Sequence, residues 1–191
     1  MPPKAKVTRE MVLDAAFETV REKGHESLNA RAIAQRLGCS TQPVLYCFRT
    51  VDEIREAVYR RADKYHSAYI LPREGTAENP MLAMGLNYVR FGYEEKHLFR
   101  LLFQTDRFGG MDMAALLENP ELRSVLDVMA AGQHIGREEA KERFLAFFAV
   151  VHGLASLLAN NSMEYDEKRS ARVLETVFHG MGALRKGQED V

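Results

Sequence analysis

The sequence predicts an all-α protein with a three-helix N-terminal domain that contains a helix-turn-helix, followed by a larger helical C-terminal domain. Three observations support this: apolar residues recur at spacings of three and four, helix caps and stop signals divide the chain, and no segment alternates like a strand. The chain has 191 residues, 46% hydrophobic and 28% charged, which is the composition of a folded globular protein. We place the domain boundary between residues 1–50 and 51–191.

Composition also predicts the compartment. The mostly apolar stretches 147–151 and 154–159 are separated by His152 and Gly153 and fall short of the ~20 residues that span a bilayer. The first residues, Met-Pro-Pro-Lys-Ala-Lys, carry charge without a following apolar stretch, so they do not resemble a secretory signal. The only cysteines are Cys39 and Cys47, which fits a reducing environment. We expect a cytoplasmic protein with no membrane segment.

The first 50 residues predict three helices. Thr8 caps the first, which carries an apolar face and stops at Gly24. Asn29 caps a short second helix, Gly38 permits the turn after it, and Ser40 caps a third helix that ends near Phe48. Pro43 fits because it falls at the third helical position, where the backbone amide needs no intrahelical acceptor. The residues expected to pack the last two helices together are Ile33, Ala34, Leu37, Cys39, Val44 and Cys47.

The remaining residues predict longer helices. Thr50 and Glu53 form a capping box that opens a helix of about 20 residues before Pro72. Asn79-Pro80 and Asn119-Pro120 each pair an Asn cap with proline at the first helical position. Further helical segments are expected at 87–103, 138–160 and 167–185, and loops at 73–79 and 105–112, the latter with Gly109-Gly110.

The helix-turn-helix leaves one surface outside its core. Between Ser27 and Val51 there is no Asp or Glu, whereas Arg31, Arg36 and Arg49 are present, so a polyanion would be tolerated. On the second short helix, Gln42, Leu45 or Tyr46, and Arg49 recur at helical spacing. Glutamine can pair bidentately with adenine, and Arg, Tyr and Thr can reach bases or phosphates in a major groove.

The segment from Thr8 to about Val58 resembles the TetR-type (tetracycline-repressor-like) transcriptional regulators. The matching residues are Ala15-Ala16-Phe17, Lys23-Gly24, Arg31-Ala32-Ile33-Ala34, Leu37-Gly38-Cys39-Ser40, Phe48 and Asp52-Glu53-Ile54. A weaker likeness, over 80–103 and 151–155, is to a regulatory-domain subgroup marked by a Trp and a His-Gly pair. Phe148 stands where that Trp is expected.

The resemblance implies a homodimeric, ligand-responsive repressor that binds a palindromic operator in double-stranded DNA. The residues that we assign to DNA contacts, from their chemistry and position, are Lys4, Lys6, Arg31, Ser40, Thr41, Gln42, Tyr46, Arg49 and Thr50. The family usually carries Tyr at Leu45, His or Tyr at Cys47, and Lys at Val51, so three common phosphate contacts are replaced here. Tyr46, Arg49 and Thr50 are the expected substitutes.

In this family the C-terminal domain encloses a small-molecule pocket, and its last two helices form the dimer. The residues we assign to the pocket are Phe91, Phe99, Phe103, Met129, Phe148 and His152. Those we assign to the dimer interface are Leu154, Leu158, Leu174, Val177, Phe178 and Met181. The effector itself is unknown.

Two other functions are compatible with a helical chain. Glu94-x-x-His97 and Asp63-x-x-His66 have the spacing of bundle metal ligands, but the further carboxylates of such a site are not evident. We therefore expect no metal or cofactor, and the absence of a nucleophile–base pair or a phosphate-binding loop argues against an enzyme. A protein of the same fold that acts through a protein partner, without DNA binding, is the other alternative.

Overall fold

The computed structural model describes residues 7–72, 79–105, 117–118 and 120–186. These residues form nine α-helices, one short 3-10 turn at His25–Ser27 and no strand. The helices are α1 (Arg9–Lys23), α2 (Ala30–Leu37), α3 (Thr41–Cys47), α4 (Val51–Ile70), α5 (Pro80–Glu94), α6 (Lys96–Phe103), α7 (Pro120–Gln133), α8 (Arg137–Ala159) and α9 (Glu167–Lys186). The predicted all-α fold is confirmed.

The N-terminal helix boundaries follow the predicted caps. The Thr8 hydroxyl oxygen accepts a hydrogen bond from the Met11 amide at 3.2 Å, and the Asn29 side-chain oxygen accepts one from the Ala32 amide at 2.9 Å. Gly38 ends α2 at φ 64° and ψ 32°, in the left-handed region that favours glycine. The short turn between α2 and α3 is therefore encoded locally.

The end of α3 differs from the prediction. Pro43 is indeed its third residue, but the Ser40 side chain makes no capping hydrogen bond. Phe48 is extended, with φ −135° and ψ 124°, so α3 ends at Cys47. Arg49 consequently lies in the turn between α3 and α4, and its predicted place on the helical face of α3 is wrong.

The predicted capping box of α4 is displaced by one residue. The Thr50 hydroxyl oxygen accepts from the Glu53 amide at 3.1 Å, as expected. The Glu53 carboxylate, however, accepts from the amide of Arg49 at 2.9 Å. The box therefore ties down the turn before α4 as well as its first residues.

The predicted helical segment at 87–103 is broken at Glu95, between α5 and α6. The Glu95 carboxylate is buried, where it accepts from the Arg21 Nε at 2.8 and 3.0 Å and from the Tyr65 hydroxyl at 3.0 Å. A buried carboxylate requires such partners. Both partners are distant in sequence, which is why local spacing did not reveal the break.

The described residues divide into two compact units. The N-terminal unit contains the described residues up to Ala68 together with Glu95–Thr105, and the C-terminal unit contains Tyr69–Glu94 and the described residues after 106. Most of α4, and α6, thus belong with α1 to α3, so the compact unit extends beyond residue 50. The functional boundary at 50/51 stays a prediction.

In the C-terminal unit α8 packs against α5, α7 and α9. Gly92 of α5 allows close contact with α8, because a Cβ there would lie 2.7 Å from the Ala155 carbonyl oxygen. By length and composition α8 could also cross a membrane, and 33% of its most apolar window is buried within the chain. Helices in bundles and at subunit interfaces share that composition, so this finding does not place α8 in a bilayer.

Some sequence predictions lie outside the described residues. These are the arm with Lys4 and Lys6, the loop at 73–78, the loop with Gly109-Gly110, and the Asn119 cap. The Asn79 cap is described and confirmed, since its side-chain oxygen accepts from the amides of Met81 and Leu82 at 3.1 and 3.2 Å.

The close approach at Gly92 predicts the effect of a single methyl group. Gly92→Ala should lower the free energy of unfolding by about 1–3 kcal/mol, because the added Cβ meets backbone atoms that cannot move aside cheaply. Gly132→Ala on α7 is the matched control, since its Cβ would enter open space. Chemical denaturation of both variants checks this, and equal stabilities would contradict the described packing.

Candidate nucleic-acid interface

The core of the helix-turn-helix is small. Ile33 and Ala34 of α2 and Val44 of α3 are buried, and Phe48 closes the end of α3. Leu37, Cys39 and Cys47, which were predicted for the same core, are half-buried. The side chains that this packing leaves exposed include Arg31, Ser40, Thr41, Gln42, Leu45, Tyr46, Arg49 and Thr50.

The arginines of the N-terminal unit fall into two groups. Within the described residues, the side chains of Arg31 and Arg49 pair with no carboxylate. Every other arginine between residues 7 and 72 does: Arg9, Arg21, Arg36, Arg55, Arg60 and Arg61. Unneutralised guanidinium groups are the ones able to replace counterions on a phosphate backbone. The two exposed arginines that form no ion pair within the described residues lie in the acid-free segment.

Arg36 has a structural role. Its two terminal nitrogens donate to the two carboxylate oxygens of Glu22, both at 2.7 Å, which joins α2 to α1. The hydrogen bonds from Arg36 lower the pKa of the Glu22 carboxyl. Of the three arginines in the acid-free segment, Arg36 is therefore already neutralised.

Arg9, at the start of α1, contacts both ends of the turn that carries Arg49. Its Nη1 donates to the Cys47 carbonyl oxygen at 2.7 Å, and its Nη2 donates to Glu53 Oε1 at 2.9 Å. The guanidinium also lies 3.8 Å from the centroid of the Phe48 ring. Sequence reasoning missed this connection, because it joins residues 38 and 44 positions apart.

The C-terminal part of the chain decides the family. A family model described as the tetracyclin repressor-like C-terminal domain matches residues 81–181. The chain belongs to this TetR-like family. Because that match covers residues 81–181 and the resemblance at residues 8–58 covers the helix-turn-helix, two separate parts of the sequence indicate the same fold of transcriptional regulators.

Solved structures of transcriptional regulators share the fold. A transcriptional regulator from Rhodococcus sp. Rha1 has a TM-score of 0.61 at 21% identity, over 92% of this chain and 96% of its own. A TetR family member from Streptomyces coelicolor A3 has a TM-score of 0.56 at 20% sequence identity, over 88% of this chain and 96% of its own. A TetR-like transcriptional regulator from Rhodococcus sp. RHA1 has a TM-score of 0.58 at 17% sequence identity, over 89% of this chain and 93% of its own. No curated protein matches the sequence.

The three departures from the TetR-like pattern have distinct surroundings. Leu45 is 45% exposed on α3. The Cys47 thiol donates to the Val7 carbonyl oxygen at 3.7 Å, and Val51 is the half-buried first residue of α4. None of these side chains offers a charge to a phosphate, so the exposed Tyr46, Arg49 and Thr50 remain the proposed substitutes.

The residues predicted for an effector pocket lie in both units. Phe99 and Phe103 belong to the N-terminal unit, where their ring centroids are 5.0 Å apart and Phe103 packs edge-on against His66. In the C-terminal unit, Phe91 is buried and packs edge-on against Tyr69. Met129 is buried on α7.

Phe148 and His152 do come together, in an aromatic cluster of the C-terminal unit. The Tyr88 hydroxyl lies 2.9 Å from His152 Nδ1, and the Phe148 ring is 5.9 Å from Tyr88 and 5.5 Å from His152. Burial raises the pKa of Tyr88 and lowers that of His152, so both are neutral at pH 7. Phe144 stacks on Phe148. The four-residue spacing of Phe144, Phe148 and His152 was visible in the sequence, whereas the contact of the distant Tyr88 with them was not.

Two of the predicted dimer residues are wrong. Leu158 and Leu174 are 3% and 0% exposed within the protomer, so they have no surface to offer a partner. Leu174 lies against the position of Gly85 on α5. Leu154, Val177, Phe178 and Met181 keep partial exposure. A repeating apolar pattern on α9 indicates a packed face, but not which neighbour covers it.

A cleft of about 580 Å³ also opens in the C-terminal unit. It is lined by Tyr93, Leu158 and residues 161–165, and its walls include the stacked rings of Tyr93 and Tyr165. No residue that we assigned to the effector pocket lines it. Among the described residues, no three His, Cys, Asp or Glu side chains converge as metal ligands.

The buried His66 makes the stability of the N-terminal unit dependent on pH. Burial lowers its pKa from 6.5 to about 4. Between those values the unfolded chain binds more protons, so the free energy of unfolding should fall as the pH drops below 6.5, by about 2 kcal/mol near pH 5. Denaturation across this range should show a weaker pH dependence for His66→Leu than for His179→Leu, a control at an exposed position. If the free energy of unfolding depends equally on pH in the two variants, His66 is not the residue responsible.

Proposed function

We propose that this protein binds duplex DNA through α2, α3 and the Arg49 turn, as a sequence-specific repressor that a small molecule releases. The observation that carries the proposal is the exposed part of the acid-free segment, on which the side chains of Arg31 and Arg49 form no ion pair within the described residues. Chains that bind phosphate backbones need such unneutralised cations. Membership of a family of transcriptional regulators supports the same function.

The exposed side chains divide by role. Gln42 is the proposed base reader, because its amide can pair bidentately with adenine in the major groove. Arg31, Arg49, Ser40 and Thr50 are the proposed phosphate contacts. Thr41 and Tyr46 lie beside Gln42 on α3 and can contact bases or sugar, and the arm with Lys4 and Lys6 would add minor-groove or phosphate contacts.

The DNA contacts predict two different mutational effects. Arg49→Ala should weaken binding to all sequences and reduce the slope of log affinity against log salt by about 0.9 for each phosphate that Arg49 neutralises. Gln42→Ala should relax base preference at one position, where a bidentate pair is worth about 1–3 kcal/mol. Fluorescence anisotropy on duplexes enriched from a random library measures both.

Arg36→Ala is the matched control, because it removes a guanidinium that Glu22 already neutralises. Its salt dependence should equal that of the wild type. If Arg49→Ala and Arg36→Ala behave alike, the assignment of Arg49 to phosphate is wrong. An unchanged base preference in Gln42→Ala would likewise remove Gln42 as the reader.

The C-terminal unit supports a homodimer. One side of α8 presents small and apolar residues at helical spacing, all at least partly exposed: Leu145, Ala146, Ala149, Val150, Gly153, Leu154 and Leu157. A Cβ added at Gly153 of α8 or Gly180 of α9 would enter open space. Such apolar surface on a protomer is typical of a subunit interface. Because the dimer would carry two helix-turn-helix units, it would bind two DNA half-sites separated by about one turn of the DNA helix, or by a multiple of it.

A charge on this α8 face tests the dimer. Ala149→Arg should produce monomers, because the partner would have to bury an unpaired guanidinium. Ala131→Arg, the same substitution at an exposed position of α7, is the control and should leave the mass unchanged. Sedimentation equilibrium distinguishes the two, and a dimeric Ala149→Arg protein would contradict this interface.

The aromatic cluster around His152 is the proposed effector site. Its neutral Tyr88–His152 pair and its phenylalanine rings favour a ligand with an apolar body and a hydrogen-bonding group. Effector binding would change the distance between the two DNA-binding units of the dimer, so that they no longer match the spacing of the operator half-sites. The coupling free energy between two such sites is typically about 1–3 kcal/mol.

One alternative function has an observation in its favour. Leu45 and Tyr46 are 45% and 87% exposed on α3, which is apolar surface that a protein partner could cover. A chain that enriches no DNA motif would favour this partner-binding function.

A further inference from the structure

Helix α3, which carries the proposed base reader Gln42, is too short to be stable without contacts to the rest of the unit. It has seven residues, or two turns, and isolated helices of that length are unstable in water. At its N-terminal end the Ser40 side chain makes no capping hydrogen bond. Val44 and Phe48 anchor one side of α3 in the core. Its C-terminal end therefore depends on contacts from elsewhere in the unit.

Arg9 supplies those contacts. The Cys47 carbonyl, to which it donates, is one of the last four of α3, which have no partner within the helix. The guanidinium lies over the Phe48 ring, 3.8 Å from its centroid, and its second terminal nitrogen donates to Glu53 on α4. A single side chain of α1 thus joins the end of α3 to the start of α4.

Glu53 completes the connection on the other side of the turn. Its second oxygen accepts from the amide of Arg49 at 2.9 Å. The hydrogen bonds from the Arg49 amide and from Arg9 lower the pKa of the Glu53 carboxyl. Because the carboxylate stays charged near neutral pH, it can hold both partners at once.

We propose that Arg9 and Glu53 are positioning residues for DNA recognition: together they fix the C-terminal end of α3 and the backbone of Arg49. The inference rests on the proposed DNA-binding function. Arg9 is not itself a phosphate contact, because Glu53 neutralises its charge. A bidentate guanidinium is needed here, since lysine cannot reach the Cys47 carbonyl and Glu53 in a planar fork.

The experiment is a double-mutant cycle on DNA affinity. Arg9→Met keeps the apolar stem and removes the donors, and Glu53→Gln keeps an acceptor and removes the charge. Each single variant should weaken binding to the duplex enriched by the wild type by about tenfold, with the salt dependence unchanged, and the double variant should be little worse than either. All affinities are measured at a temperature where circular dichroism shows each variant folded.

Arg61→Met is the matched control. Arg61 also joins α4 to α1, through Asp14 at 2.5 Å, but both of its carboxylate partners, Glu10 and Asp14, lie on α1 rather than on α3. Its substitution should lower the melting temperature about as much as Arg9→Met while leaving DNA affinity unchanged. Equal decreases of affinity in Arg9→Met and Arg61→Met would reduce the role of Arg9 to general stability and overturn the inference.

A direct phosphate contact by Arg9 gives the opposite result. Arg9→Met would then lower the salt dependence, and Glu53→Gln would strengthen binding by removing a negative charge near the DNA. That pattern, or wild-type affinity in Arg9→Met, overturns the inference while the DNA-binding function stands. If the wild-type protein enriches no duplex, the proposed DNA-binding function itself is contradicted, and the inference is overturned with it.

Discussion

The position of α3 is the constraint on which the proposed site depends. Two helical turns without a side-chain cap have little stability of their own, so the seven residues of α3 take their orientation from neighbours. Val44 and Phe48 fix its buried side, and Gly38 fixes the turn that leads into it. Once these are in place, the other side of α3 is exposed by default, and the acid-free composition of the segment makes that side suitable for a polyanion.

The ion pairs of the N-terminal unit explain why only some cations are available. Some of its arginines join separate segments, as Arg36 joins α2 to α1 and Arg21 joins α1 to Glu95, whereas Arg55 and Arg60 pair within α4. Such pairs, mostly at the surface, contribute little net stability each, but they leave few arginines of the unit without a carboxylate partner. The formal net charge of −1 therefore says little about the interface. What matters is which guanidinium groups lack a carboxylate within the described residues.

Local rules predicted the helix boundaries and failed where distant residues intervene. Thr8, Asn29 and Gly38 act within a few residues of themselves, so the sequence was sufficient for their roles. The break at Glu95 depends on Arg21, which is 74 positions away. Leu174 shows the same limit, because its repeat on α9 predicted a packed face correctly but α5, rather than a second protomer, covers it. Thr41, Gln42, Leu45 and Tyr46 of α3 are exposed as predicted, whereas the place of Arg49 after the helix and the hydrogen bonds of Arg9 could not be predicted from local spacing.

The proposed function requires that the exposed surface of α2, α3 and the Arg49 turn reads DNA in a dimer. The most direct measurement is to mix the protein with random-sequence duplex at about 0.15 M salt, recover the bound fragments and sequence them. We expect an enriched palindrome with two half-sites separated by a whole number of helical turns. Recovery of fragments without a shared motif, or binding that disappears as salt is raised modestly, would contradict the claim.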